Sequence, residues 1–157
     1  MTRIMFVCHG NICRSPMAEF VMKKIVAERG KSTDFVIDSS ATSTEEIGND
    51  IHPGTRRMLD KYGVPYSRRE AVQLEKRDYE KYDLFVGMDS ANVRNMHRIF
   101  GSDPDGKTIR LLDLTDEKRD VADPWYTGNF EETWQDINKG YEALISIIKQ
   151  NEGPAQV

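Results

Sequence analysis

Short apolar runs alternate along the chain with longer segments in which apolar residues recur every three or four positions. Such alternation is typical of a parallel β-sheet covered by helices. The sequence therefore predicts one α/β domain with four strands, the last of them the weakest. The predicted strands are Arg3–Val7, Phe35–Ile37, Leu84–Val86 and Ile109–Leu111.

The longer segments carry the start and stop signals of helices. Ser15 is predicted to cap the first helix, Pro16 suits its first turn, and Gly30 ends it. The apolar stripe of the last helix marks its buried face. The predicted helices are Met17–Arg29, 53–62, Ala91–Phe100 and Phe130–Lys149. One domain is expected over residues 1–157, with a frayed tail at 151–157.

Composition excludes several classes of function. The chain has 157 residues, of which 38% are hydrophobic and 31% charged, which fits a globular domain and not a disordered one. A net charge of −4 gives no reason to expect nucleic acid as a partner. We see no signal peptide and no apolar stretch long enough for a membrane. The two cysteines, five positions apart, fit neither a disulfide framework nor a zinc site, so a cytoplasmic, reduced setting is expected.

The chemistry concentrates in one segment between the first predicted strand and the first predicted helix. It reads Cys8-His9-Gly10-Asn11-Ile12-Cys13-Arg14-Ser15-Pro16. Ligands of parallel α/β sheets bind beyond the carboxyl ends of the strands. The amides at a helix N-terminus favour anions. A phosphate group is therefore the expected ligand of this turn.

The residue types in the turn suit an attack on phosphorus. The reactive form of cysteine is the thiolate, and a free thiol has a pKa of about 8.5, so Cys8 needs stabilisation by the helix N-terminus. Gly10 lets the backbone turn inward, and Asn11 tolerates a left-handed conformation. The planar fork of Arg14 can bind two phosphate oxygens. Ser15 can donate a hydrogen bond to the sulfur of Cys8.

Together with Asp123-Pro124-Trp125-Tyr126, this segment resembles the low-molecular-weight protein tyrosine phosphatase family, and the resemblance extends over nearly the whole chain. It implies a three-layer α/β/α sandwich around a four-stranded parallel sheet, flavodoxin-like, in the order 2-1-3-4. It also implies hydrolysis of phosphotyrosine and aryl phosphates through a cysteinyl-phosphate, without metal or cofactor. The partners would be a phosphotyrosine-containing protein and, as product, inorganic phosphate; a monomer or weak dimer is expected.

The resemblance assigns roles residue by residue. Cys8 would be the nucleophile, Arg14 the phosphate clamp, and Asp123 the general acid and then the base. From the residue alone, the favoured interpretation of Asp123 is a turn-initiating aspartate before proline. The other expected phosphate-binding residues are His9, Gly10, Asn11, Ile12, Cys13 and Ser15. The expected walls of the substrate slot are Trp125, Tyr126 and Glu45, the last where the family often has an aromatic residue.

Some positions leave two interpretations open. Cys13 is either an inert buried thiol or the partner of Cys8 in a protective disulfide. His9 is expected to contribute mainly its backbone, whereas His52 and His97 are expected to be surface or capping residues. Asn11 is expected to fix the loop, with Ser39 as its partner. Many family members support this asparagine with a histidine, but here Arg68 and Arg69 stand in that segment, which leaves the support in doubt.

Three alternative functions are weighed. An arsenate reductase on the same fold needs further cysteines, and the chain has only Cys8 and Cys13. A phosphoarginine phosphatase has threonine where this chain has Ile12, so the bulkier residue favours phosphotyrosine. A catalytically silent phosphopeptide-binding module would lack the nucleophile or the acid, and both are present.

Overall fold

The computed structural model describes the backbone of residues 1–152 and the side chains of residues 1–148. Its strands are β1 (Thr2–Cys8), β2 (Phe35–Ala41), β3 (Leu84–Gly87) and β4 (Thr108–Arg110). Its α-helices are α1 (Arg14–Glu28), α2 (Pro53–Lys61), α3 (Ser90–Phe100), α4 (Pro124–Thr127) and α5 (Phe130–Glu152). The tail expected over 151–157 overlaps the end of α5 by two residues, and 153–157 lie outside the described residues.

The four strands form one sheet in the order β2-β1-β3-β4, and every neighbouring pair is parallel, which confirms the expected topology. β1 is central, and its residues from Ile4 to Cys8 are all buried because helices cover both faces of the sheet. Cys8 pairs with Ala41 at the carboxyl end of β2. β2 lies on one side of β1 and β3 lies on the other, so the strand order reverses at β1. The carboxyl end of β1 therefore lies where such sheets bind ligands.

Alternate side chains of β1 enter two different cores. Ile4 and Phe6 belong to the larger core, which includes α1 and α5. Met5 and Val7 belong to the smaller core with Phe85 and residues of α3. Each face of the sheet therefore has its own helical layer, as the three-layer expectation requires. Within residues 1–152, no helix is long and apolar enough to cross a membrane.

Two local predictions were wrong. Ser15 does not cap α1, because the helix already begins at Arg14 and its cap position, Cys13, makes no side-chain capping hydrogen bond. The Ser15 hydroxyl lies instead against the sulfur of Cys8. β4 ends at Arg110, because Leu111 begins a 3-10 turn and its buried side chain packs against Gly140 of α5. A Cβ at position 140 would collide with that leucine.

Candidate active site

The turn between β1 and α1, residues 8–15, is called the phosphate loop below. Its sharpest bend is at Asn11, which has a positive φ of 59° and is completely buried, as the left-handed expectation required. The backbone amide of Asn11 donates to Cys8 Sγ at 3.3 Å, and that of Ser15 at 3.4 Å. The Ser15 hydroxyl lies 3.0 Å from the same sulfur. A thiolate at Cys8 would therefore receive three hydrogen bonds.

The carbonyl groups of the loop are held on its outer side. The amide of Thr42 donates to the Cys8 carbonyl at 2.9 Å, and that of Ser43 to the His9 carbonyl at 3.1 Å. The Ile12 carbonyl accepts from the amide of His52 at 2.8 Å. The Cys13 carbonyl accepts from the hydroxyl of Thr55 at 3.0 Å. With these carbonyls turned outward, the loop presents N–H groups inward, the arrangement that binds anions.

The side chain of Asn11 fixes the direction of the protons around the nucleophile. Because the amide of Val72 donates to Asn11 Oδ1 at 3.2 Å, the other terminal atom is the NH₂ donor. It donates to the hydroxyls of Ser15 at 2.8 Å and Ser39 at 2.9 Å. The predicted contact between Asn11 and Ser39 is thus present. Each hydroxyl accepts from Asn11 and keeps its own proton, so Ser15 can donate it to Cys8 Sγ.

The hydroxyl of Ser39 donates a hydrogen bond to a buried carboxylate. Its hydroxyl donates to Glu19 Oε1 at 2.5 Å, and Lys23 pairs with Glu19 Oε2 at 2.5 Å. Glu19 is a residue of α1 and only 9% exposed. Both oxygens of this buried carboxylate have a hydrogen-bond partner, as buried polar groups usually do. The network therefore runs from the sulfur of the loop to the surface without an unpaired hydroxyl.

Arg69 resolves the doubt about the support of Asn11. Its Nη2 donates to the Asn11 carbonyl at 2.6 Å, and its Nη1 donates to the Asn49 carbonyl at 3.3 Å. Burial lowers the pKa of Arg69, although Glu19 and Cys8 act in the opposite direction. Its neighbour Arg68 is exposed. One of the two arginines therefore holds the strained residue of the loop.

Arg14 is the most enclosed cation of the site, with 2% exposure. Its Nη1 donates to Asp89 Oδ2 at 2.7 Å and to the Val121 carbonyl at 2.9 Å, and its Nη2 lies 3.5 Å from Asp123 Oδ2. Burial opposes the charge, but Cys8, Asp89 and Asp123 outweigh it and raise the pKa of Arg14. The guanidinium is thus permanently charged and held in one orientation.

Asp123 caps a helix and also lines the pocket. Its Oδ1 accepts from the amide of Trp125 at 3.0 Å and caps α4, which begins at Pro124. Its Oδ2 faces Arg14 and lines the same pocket as Cys8. The aspartate that initiates the turn before Pro124 therefore also lines the pocket that contains Cys8.

The pocket opens between the phosphate loop and α4. His9 lies at its rim, where its ring forms a 2.9 Å contact with Glu45 and not with the sulfur. Trp125 and Tyr126 form an exposed wall, 57% and 82% accessible. Of the predicted site residues, those that line the pocket are Cys8, His9, Gly10, Ile12, Cys13, Arg14, Glu45, Asp123, Trp125 and Tyr126. Asn11 and Ser15 also belong to the loop, but they do not line the pocket, because both are completely buried.

The second cysteine of the loop, Cys13, is buried. Burial, followed by the charges of Cys8 and Asp123, raises the pKa of Cys13 to about 12. Its thiol therefore stays protonated near neutral pH. Both cysteines are free thiols in this structure.

Sequence reasoning missed several residues that the fold brings to the site. No role was predicted for Asp89, which caps α3 and holds Arg14 at the same time. Glu46 lines the pocket beside Glu45. A signal for Asp89 existed in the sequence, because an aspartate directly before a helix is a common cap. Among the described residues, no cluster of histidine, cysteine or acidic side chains is arranged to hold a metal ion.

Comparisons with known proteins agree with this geometry. Residues 3–153 match the family model described as low molecular weight phosphotyrosine protein phosphatase. The low molecular weight protein-tyrosine-phosphatase YfkJ of Bacillus subtilis is 36% identical, over 97% of this chain and 99% of its own length. Its crystal structure superposes with a TM-score of 0.92, covering 96% of each chain.

Two further relatives have similar extents. PtpA of Staphylococcus epidermidis, also a low molecular weight protein-tyrosine-phosphatase, is 38% identical over 94% of each chain. The structure of SP-PTP, a low molecular weight protein tyrosine phosphatase from Streptococcus pyogenes, is 41% identical with a TM-score of 0.85, covering 95% of this chain and 94% of that one. The similarity thus spans the phosphate loop and Asp123 together.

Proposed function

This chain belongs to the low molecular weight phosphotyrosine protein phosphatase family, and we propose that Cys8, Arg14 and Asp123 carry its reaction. The chain is a protein-tyrosine phosphatase, a hydrolase of phosphoric monoesters. One observation carries the assignment of residues. The sulfur of Cys8 has three hydrogen-bond donors around it, in a pocket that Arg14 and Asp123 also line.

The first half of the reaction transfers the phosphoryl group to the enzyme. The Cys8 thiolate attacks phosphorus, the S–P bond forms, and the bond to the phenolic oxygen breaks. Arg14 and the inward amides of the loop bind the phosphoryl oxygens as their charge redistributes. Asp123 gives its proton to the departing oxygen, so that phenol leaves instead of phenolate.

The second half releases phosphate. Asp123, now ionised, takes a proton from a water molecule that attacks the cysteinyl-phosphate. The S–P bond breaks, inorganic phosphate leaves, and Cys8 returns as a thiolate that accepts a hydrogen bond from Ser15. No electron transfer and no metal enters this sequence. The arsenate alternative is not favoured, because the chain has only two cysteines.

The substrate we propose is a phosphotyrosine side chain of a protein. The exposed aromatic rings of Trp125 and Tyr126 line the pocket, as do Glu45 and Glu46. Flat aromatic walls suit a phenyl ring. Ile12, where a phosphoarginine phosphatase has threonine, also lines the pocket, and we therefore favour phosphotyrosine over phosphoarginine as the substrate. We place the enzyme in the cytoplasm, acting as a monomer or weak dimer.

The test is hydrolysis of p-nitrophenyl phosphate with EDTA present, comparing the wild type with Cys8→Ser. We expect metal-independent turnover in the wild type and none above background in the variant, with unchanged circular dichroism. Inorganic phosphate should inhibit competitively, since it occupies the same loop. Turnover that survives in Cys8→Ser, or that EDTA abolishes, would reject the cysteinyl-phosphate scheme.

A further inference from the structure

His52 connects the two halves of the site, although the reaction scheme does not use it. Its backbone amide donates to the Ile12 carbonyl at 2.8 Å, which ties it to the phosphate loop. Its ring stacks on Phe130 with centroids 5.0 Å apart and meets Trp125 edge-on at 5.6 Å. One residue therefore contacts the loop that holds Cys8 and the segment that holds Asp123.

The ring of His52 is held in one orientation. Its Nδ1 accepts a hydrogen bond from the amide of Gly54 at 2.9 Å, which caps α2 as the sequence had suggested for a capping residue. An Nδ1 that accepts has no proton, so the neutral ring carries its proton on Nε2. Burial, and next the charge of Arg57, lower the pKa of His52, while Glu46 and Asp123 act in the opposite direction. The neutral, accepting form is thus favoured.

The neighbours of the ring are closely packed on the side of α5. A Cβ on Gly54 would collide with the ring of Phe130, so only glycine lets that aromatic side chain approach the start of α2. Phe130 is the first residue of α5. The imidazole of His52 is thereby fixed by the amide of Gly54 and by the face of Phe130. Trp125, which is 57% exposed, rests on this fixed ring.

Trp125 links the ring of His52 to the carboxyl group of Asp123. Its backbone amide donates to Asp123 Oδ1 at 3.0 Å, so a displacement of Trp125 turns the carboxyl group of Asp123. We propose that His52 is a positioning residue that sets the approach of Asp123 to the phosphate loop by holding Trp125. This inference rests on the proposed function, because it assigns His52 to the proton transfer that Asp123 performs.

Two substitutions separate the functions of the ring. In His52→Asn the amide oxygen can still accept from Gly54, but the aromatic surface under Trp125 is lost. In His52→Phe the aromatic surface remains and the acceptor is lost. His97→Asn is the matched control, because His97 lies on α3, where its ring contacts Thr108. All three proteins are compared with the wild type by circular dichroism before kinetics.

The decisive measurement is kcat/KM on a poor and a good leaving group. Protonation by Asp123 matters for phenyl phosphate and little for 2,4-dinitrophenyl phosphate. Since a misplacement of about 1 Å can cost about 10²-fold, we expect His52→Asn to lose about 10-fold on phenyl phosphate and less than about 2-fold on the dinitrophenyl ester. His52→Phe should keep more activity on phenyl phosphate than His52→Asn. Equal losses on both esters, or none on either, would overturn the proposal.

A double-mutant cycle tests the path through Trp125. In a Trp125→Ala background, His52→Asn should cause no further selective loss on phenyl phosphate, because the ring then has nothing to hold. A fully additive loss would overturn the path. Failure of the proposed function is distinguishable, since it would appear as turnover that survives in Cys8→Ser or that EDTA abolishes, whatever residue stands at position 52.

Discussion

The phosphate loop and the segment that carries the acid, residues 122–128 and called the acid segment below, differ in how firmly they are held. In the loop, Cys8, Asn11 and Arg14 are at most 3% exposed. In the acid segment, Trp125 and Tyr126 are 57% and 82% exposed. The groups that we propose to bind and attack the phosphate are preorganised, as electrostatic stabilisation requires. The groups that meet the rest of the substrate lie on a surface that can adjust to it.

The acid segment begins directly after a buried residue. Val121 is completely buried, and its amide donates to the Met88 carbonyl at 2.9 Å. Arg119 makes two hydrogen bonds to the buried Asp136 of α5, at 2.8 and 2.9 Å. The stem of the acid segment is therefore anchored to the core, and only its tip depends on contacts such as the one with His52.

The largest effect should come from the acid segment, through Asp123, the group there that we propose to take part in bond cleavage. Asp123→Ala removes the proton donor, so kcat/KM on phenyl phosphate should fall about 10²–10⁴-fold, and far less on 2,4-dinitrophenyl phosphate. Measuring both esters at several pH values checks this expectation. A near-wild-type rate on phenyl phosphate would remove Asp123 from the reaction and leave it only the capping of α4.

The phosphate loop should also respond to a substitution of Asn11, which does not line the pocket. Asn11→Ala removes the donor to Ser15 and Ser39 and places a residue with a Cβ, but without the local hydrogen bonds, at a φ of 59°. We expect a loss of about 2–4 kcal/mol in the free energy of unfolding, from unpaired buried groups and backbone strain. Activity on p-nitrophenyl phosphate should fall about 10-fold, since Ser15 is no longer oriented toward the sulfur.

Urea unfolding measures the stability of this variant. Asn95→Ala is the matched control, because Asn95 is a half-buried residue of α3, where alanine favours the helix. If Asn11→Ala unfolds at the same urea concentration as the wild type, the asparagine network does not support the loop.

The contrast between the two regions also explains what sequence could predict. The shared location of Cys8 and Arg14 could be predicted because strand, turn and helix are consecutive, so local geometry alone brings both residues to one pocket. Residues that reach the loop from afar gave no local signal. Asp89 is 75 positions from Arg14, and Arg69 is 58 positions from Asn11. Such contacts depend on how the loops between strands fold back, which periodicity does not specify.

The wrong capping prediction has the same origin. Serine before proline is a favourable local signal for a helix start, and Ser15 has that signal. The tertiary structure uses its hydroxyl for Cys8 Sγ instead, and α1 begins one residue earlier. Helix-capping rules describe a helix in isolation, whereas this helix start is part of a binding site. The order of the strands came from the family resemblance, and no local pattern would have fixed it.

A smaller effect should come from the outer support of the loop. Arg69→Met keeps the length of the side chain and removes the donor to the Asn11 carbonyl. A hydrogen bond to a charged group contributes about 1.5–3 kcal/mol, so the free energy of unfolding should fall by roughly that amount. Urea unfolding of Arg69→Met beside the wild type measures this loss.

Arg68→Met is the matched control, because Arg68 is exposed beside Arg69. Arg69→Lys should recover part of the stability, since it restores a charge without the planar fork. Arg68→Met and Arg69→Met variants that behave alike would show that the charge of the segment matters and the contact with Asn11 does not.

The smallest effect should come from the most exposed part of the acid segment. Tyr126→Ala removes a side chain that is 82% accessible, so the free energy of unfolding should change by no more than about 0.5 kcal/mol. Its cost should appear only with a substrate that reaches past the pocket: KM for a phosphotyrosine peptide should rise about 2–5-fold, while that for p-nitrophenyl phosphate stays unchanged. Because kcat on both substrates depends on Cys8 and Asp123, it should not move. A fall in kcat would mean that this exposed ring helps to place the acid, and the acid segment would then be as closely constrained as the phosphate loop.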